Sequence, residues 1–404
     1  MSLNIYGNGT TTASAGANTI VHYYDRAGIN AANRVNVYGQ WADRRSMPTK
    51  MGKTFKISRF EHMYDRSTGD VDFATKGFMT ARTADEVSAS LTSATLAEGA
   101  GAVNQKTLTK VTFSTELARY GEMINYTDEV EMFSEDYIQV KYREELGELA
   151  NARMEDLQQL DMLSTGTVIY SGDATSMATI GTTSGVDYRV GYDLIRKGVR
   201  KLVRNRAKKN TSIVSGSTKI GTTPIAKAFY AIIGADVKAD LESAVRGNTT
   251  DNGFTEFVYI PAHKYAGAAS LAEGEVGAMH EVRFVEAESA VVYAGTGAAV
   301  PGGYTGSLAY TTFATDAAAI AVRGVGATAG DYFNVYPILF PTEGAFATVG
   351  LKGNEKIKFN AKSPSSVENA NPYGTTGFFS YNFFYAGILL REEAMLKMLV
   401  AASA

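Results

Sequence analysis

Residues 134–166, SEDYIQVKYREELGELANARMEDLQQLDMLSTG, decide how the rest of the chain is read. At the helical period Ile138, Tyr142, Leu146, Leu149, Leu157, Leu160 and Leu163 fall on one face. Lys141, Glu144, Glu148 and Glu155 fall roughly opposite. Ser134 with acids close behind it is a capping start, and Ser164-Thr165-Gly166 is a stop. Such a helix is roughly 45 Å long. One lengthwise face is apolar and no strict heptad is sustained, so the pattern predicts a spine laid across a sheet rather than a coiled-coil strand.

Outward from the spine, the 404 residues suffice for two or three domains, and 45% hydrophobic with 20% charged residues describes a folded chain. Forty glycines against 8 prolines, with 23 tyrosines and 19 phenylalanines, suit many turns between aromatic-rich strands. A net charge of −3 argues against a dedicated nucleic-acid binder. The absence of cysteine removes disulfides, thiolate metal sites and thiol nucleophiles. The N-terminus lacks the basic start and apolar centre of a secretory signal. The most apolar run, Phe378–Leu390, is broken by Ser380 and Asn382 and is too short to span a bilayer. No membrane partner is expected, and synthesis is expected in cytoplasm.

Residues 1–20 are small and polar, and 20–52 hold the lone tryptophan, Trp41, so an arm ordered by lying on something else is expected over this region. Alternation over 53–64, with Phe55, Ile57 and then Phe60, predicts a strand with one slip of register. A second strand, TLTKVTFST at 107–115, completes a long hairpin across a polar connection. Such a hairpin buries little alone and is expected to pack on another chain. Tyr192–Lys209 reads as a second helix with Ile195, Val199, Leu202 and Val203 inward. Its other face carries Arg196, Lys197, Arg200, Lys201, Arg204, Arg206, Lys208 and Lys209. Short β segments follow, and FFSYNFFYAGILL closes the chain before a short tail, giving an α+β class.

Chemistry finds little to stand on. His22, His62, His263 and His280 show no ligand spacing, so neither metal nor cofactor is expected. Met51-Gly52-Lys53-Thr54 resembles the end of a phosphate loop, but Met47 stands where its first glycine belongs, and the lysine opens a strand. No G-x-S-x-G elbow occurs. Carboxylate pairs such as Glu273/Glu275 and Glu286/Glu288 read as solvated faces, so no enzyme is expected. The basic helix face reads first as solvated, or paired with the acidic face of the spine helix in the same chain or a neighbour. Its second reading is contact with a polyanion.

The order of arm, hairpin, spine, second helix and β-rich region resembles the HK97-like major capsid proteins of tailed bacteriophages. Three segments sharpen the resemblance towards the N4-like branch: LAEGAGAVNQKTLTKVTFSTELARYGEMINYTDEV at 96–130, TPIAKAFYAIIGADVKADLE at 223–242, and the segment 256–293 with Gly274-Glu275-Val276-Gly277 and Val282-Arg283-Phe284-Val285-Glu286. The family's layout implies an N-terminal arm over 1–52, an extended loop over 53–127 and a peripheral domain with spine and basic helices over 128–222. An axial domain would follow over 223–390, with a C-terminal return over 391–404; residues 294–332 have no secure place. Arg59, Glu61, Glu98 and Lys106 become candidate inter-subunit loop contacts, and the basic face becomes a candidate DNA-facing or inter-subunit surface. Some relatives crosslink a loop lysine, but Lys76 and Lys106 carry no sign of the partner geometry. The implied partners are copies of the chain as hexamers and pentamers, portal and separate scaffolding proteins, a decoration protein, and weakly held double-stranded DNA. The implied location is the virion capsid, after synthesis in the bacterial host cytoplasm. An encapsulin-like compartment and a β-rich tail or adhesin protein are the alternatives.

Overall fold

The computed structural model describes residues 37–60, 83–99, 104–105, 107–108, 110–133, 138–214, 222–244, 258–259, 272, 274–313, 330–354, 356–365 and 371–404. A 3-10 turn (Tyr38–Trp41) leads into β1 (Asp43–Met47). Then come β2 (Thr54–Phe60), helix α1 (Ala84–Thr92), β3 (Lys110–Glu116), β4 (Ala118–Thr127), α2 (Asp128–Phe133) and the spine α3 (Ile138–Leu163). Next are β5 (Val168–Tyr170), α4 (Tyr192–Arg204), β6 (Asn210–Val214), β7 (Thr222–Ile233) and α5 (Ala235–Glu242). The remainder is strand: β8 (Val258–Tyr259), β9 (Glu275–Met279), β10 (Val282–Glu286), β11 (Tyr310–Phe313) and β12 (Gly330–Phe333). These are followed by β13 (Tyr336–Phe340), β14 (Phe346–Leu351), β15 (Lys358–Lys362), β16 (Thr376–Leu389) and β17 (Leu396–Val400).

Two sheets share the spine. The five-stranded sheet is built on β16, which pairs with β14, β15 and, antiparallel over Thr376–Tyr385, with β4. Strand alternation puts Phe379, Tyr381, Phe383 and Tyr385 on the buried side, where they meet Tyr126 of β4 and Leu146 and Ala150 of α3. Tyr126 stacks on Phe379 at 5.3 Å between ring centroids. The hydroxyls that aromatic burial would otherwise strand are bonded: Tyr385 donates to Asp161 Oδ2 and Tyr381 to Glu122 Oε2, both at 2.8 Å.

The eight-stranded sheet runs β5-β17-β13-β7-β10-β9-β8, with β6 beside β7. Period-two alternation in β7 sends Phe229, Ala231 and Ile233 to one face and Tyr230 and Ile232 to the other. The first face is covered by α4 through Ile195, Val199 and Leu202. Gly198 of α4 is needed there, because a Cβ would come within 1.9 Å of Met398 Cε and 3.2 Å of Leu396 Cδ2. The second face is covered by Val37, Tyr38 and Trp41 and by the C-terminal end of the spine, Met162 and Leu163. The spine thus joins both cores, Leu146 and Ala150 in one and Met162 and Leu163 in the other.

Several expectations are corrected. Residues 37–47, assigned to the arm, are part of the body, with Trp41 against Tyr230 at 5.3 Å and β1 parallel to β14. On the spine, Leu149 and Leu160 are exposed and Glu155 is buried; the covered stripe advances by fours through Leu146, Ala150, Met154, Gln158 and Met162. Val203 of α4 is exposed although read as inward. The hairpin of β2 and β3 forms without a register slip, Thr54 opposite Glu116 through Phe60 opposite Lys110. Its base packs on its own chain, Phe55, Ile57 and Phe113 against Met47, Val349 and Ile388. Strands β4 and β16 pair within the five-stranded sheet. Helix α4 and the C-terminal end of the spine cover opposite faces of the eight-stranded sheet. The expected C-terminal tail is a buried strand, β17, between β5 and β13.

Candidate interaction surfaces

Helix α4 presents its basic face because the opposite face is spent on the sheet. Arg196, Lys197, Arg200, Arg204, Arg206 and Lys208 are exposed and Lys209 half-buried. Lys201 departs from this face: it is buried, its Nζ donates to Val168 O at 2.9 Å, and desolvation pulls its pKa down to about 8. The helix ends in a reciprocal cap, Arg206 N–H to Val203 O at 3.0 Å and Ala207 N–H to Leu202 O at 2.9 Å. That cap requires a left-handed residue, and Arg206 supplies it at φ 55° where glycine is usual. Lys209 bonds Glu281 Oε2 at 2.9 Å and lies over the Phe229 ring at 5.4 Å.

The loop candidates divide. Glu98 is exposed, whereas Glu61, Lys76 and Lys106 lie outside the described residues. Arg59 is engaged within its own chain: it donates to buried Glu393 Oε1 at 2.9 Å and lies over Phe113 at 5.5 Å. Arg391 meets the same oxygen at 3.3 Å. This pairing explains the missing register slip, since Arg59 takes the inward position and leaves Phe60 exposed. Around the loop, Val87 and Leu91 of α1, together with Leu96 and Leu108, are exposed.

Sequence reasoning missed Glu155. The N–H groups of Val37 and Tyr38 donate to its Oε1 at 2.6 and 3.0 Å, and the Tyr38 hydroxyl bonds the Gln159 amide at 2.7 Å. Desolvation outweighs those bonds and pushes its pKa up to about 7. The folded chain therefore holds a proton that the unfolded chain releases between pH 4.5 and 7. The stabilisation is fully present below about pH 4.5 and is lost as pH rises through 7. Glu155→Gln should remove this slope and raise stability at pH 8 by up to about 3 kcal/mol, read from thermal melts across that range. Of the carboxylates named above as pairs, Glu275 is the structural partner of Arg283 and Glu286 of Lys238, and Glu273 lies outside the described residues. No group of ligating side chains converges among the described residues.

The fold is that of phage capsid proteins. It matches the capsid of Ralstonia phage GP4 at TM-score 0.59 and 10% identity, over 98% of this chain and 99% of that one. It matches the capsid of cyanophage P-SCSP1u at TM-score 0.53 and 10% identity, over 98% of both chains. In sequence the chain is similar to the major capsid protein of Pseudomonas phage KPP21, 28% identical over 96% of this chain and 95% of that protein. No family model matches the chain.

Proposed function

We propose that this chain is a phage major capsid protein, built to associate with copies of itself into the closed shell of the virion. The observation that carries the proposal is coverage: the capsid fold accounts for the chain almost from end to end. The architecture suits the task. A two-sheet body shares one spine, and the hairpin held to it by the Arg59–Glu393 pair leads to a loop whose Val87, Leu91 and Leu96 are exposed. Many individually modest contacts between copies then become strong through multiplicity. Hexamers and pentamers filled with double-stranded DNA, an HK97-like arrangement of the N4-like branch, a portal, a separate scaffold and a decoration protein complete the reading. Synthesis would be in the host cytoplasm. The role is structural rather than enzymatic. Electron microscopy of the protein co-expressed with its neighbouring genes tests it. Closed polyhedral particles are expected, and their diameter and DNA content separate a virus shell from a small cargo compartment. Small discrete oligomers under every condition would overturn it.

A further inference from the structure

Beyond the cap of α4 lies an open groove of about 710 Å³. The exposed Val203 gives it an apolar edge above the buried Phe229, and Lys208 and Lys227, with Lys209 paired to Glu281, give it ammonium groups. Glu343 is the one acid in its lining, and it accepts a hydrogen bond from Thr211. The opposite pattern occurs on two described helices: α1 has Asp85 and Glu86 beside exposed Val87 and Leu91, and α2 carries more acids and more exposed apolar side chains. Helix α2, DEVEMF, carries three acids and no base, with Val130 exposed, Met132 71% exposed and Phe133 84% exposed. In its own chain α2 adjoins β4, and no residue lining the groove comes from it.

We propose that α2 of one copy docks in the Lys208–Lys209–Lys227 groove of the next, seating Met132 and Phe133 against Val203. The inference rests on the shell reading above and names one of its contacts. Apolar side chains supply the desolvated centre and the unlike charges fix which patch meets which. Because the two patches differ, the contact is heterologous, and a heterologous contact repeated around a rotation axis closes a ring. Nucleic acid is the competing occupant of a lysine-lined groove, but it offers no complement to Val203 and leaves the exposed Met132 and Phe133 without a role.

The chain has no cysteine, so a designed pair reads the contact directly. Shells of the full chain carrying Phe133→Cys and Val203→Cys should, on oxidation, give a ladder of disulfide-linked oligomers that neither single variant gives. Both positions are exposed, so folding should survive. In parallel, Lys208→Glu with Lys227→Glu should lower shell yield about tenfold, as should Asp128→Lys with Glu129→Lys, and combining all four should restore it. No ladder, or no restoration in the combined variant, would overturn the contact. Normal shells from the lysine variant that fail only to retain DNA would also overturn it, in favour of the polyanion. Wild-type protein that forms no shells would instead overturn the shell reading itself.

Discussion

Removing residues 395–404 is expected to unfold the chain outright. Strand β17 lies between β13 and β5, antiparallel to one and parallel to the other. Met395, Leu396, Met398, Leu399 and Val400 are all buried. At about 1.5–3 kcal/mol each they contribute on the order of 10 kcal/mol, comparable with the whole net stability of a typical domain. The loss reaches the spine as well, because Lys397 Nζ donates to Leu163 O at 2.7 Å and closes the helix C-terminus. Circular dichroism and a melt of the truncated chain check this. A soluble product with a cooperative transition near the wild-type temperature would contradict it.

Deleting residues 66–104, bridged by a short Gly-Ser linker, should have the opposite signature. The hairpin base keeps its contacts with Met47, Val349 and Ile388 and its Arg59–Glu393 pair, so the body should melt within a few degrees of wild type. Assembly should fail, because the deletion removes α1 with Val87 and Leu91, and Leu96 beyond it. Sedimentation should show only slow species. Closed shells from this variant at wild-type yield would show that the loop is not an essential contact.

What the sequence made legible was what local pattern controls. The β2–β3 pairing, the aromatic alternation of β16 and the existence of spine and basic helix all follow from periods of two and 3.6. Strand β17 was hidden because a strand buried on both faces shows a continuous apolar run, and LKMLVAA at the chain end looks like a tail. The pairing of β4 with β16, about 250 residues apart in the chain, leaves no local signal in either strand. Single polar residues were hidden for a different reason. Lys201 was read with its basic neighbours, and its partner, the Val168 carbonyl, carries no side-chain signal. Glu155 was counted with the polar face because its partners, the backbone of Val37 and Tyr38, lie 118 and 117 residues away. The Arg59 pair with Glu393 has no local signal either, because the two lie 334 residues apart.

The most direct test of the central claim, that a two-sheet body joins its copies through the loop beyond β2 and β3, is a cryo-electron microscopy reconstruction of the assembled particle at side-chain resolution. The account predicts a closed shell in which each body keeps the spine across both sheets and each loop beyond β2 and β3 lies on an adjacent copy. Loops folded back on their own bodies, or particles without a closed shell, would contradict it.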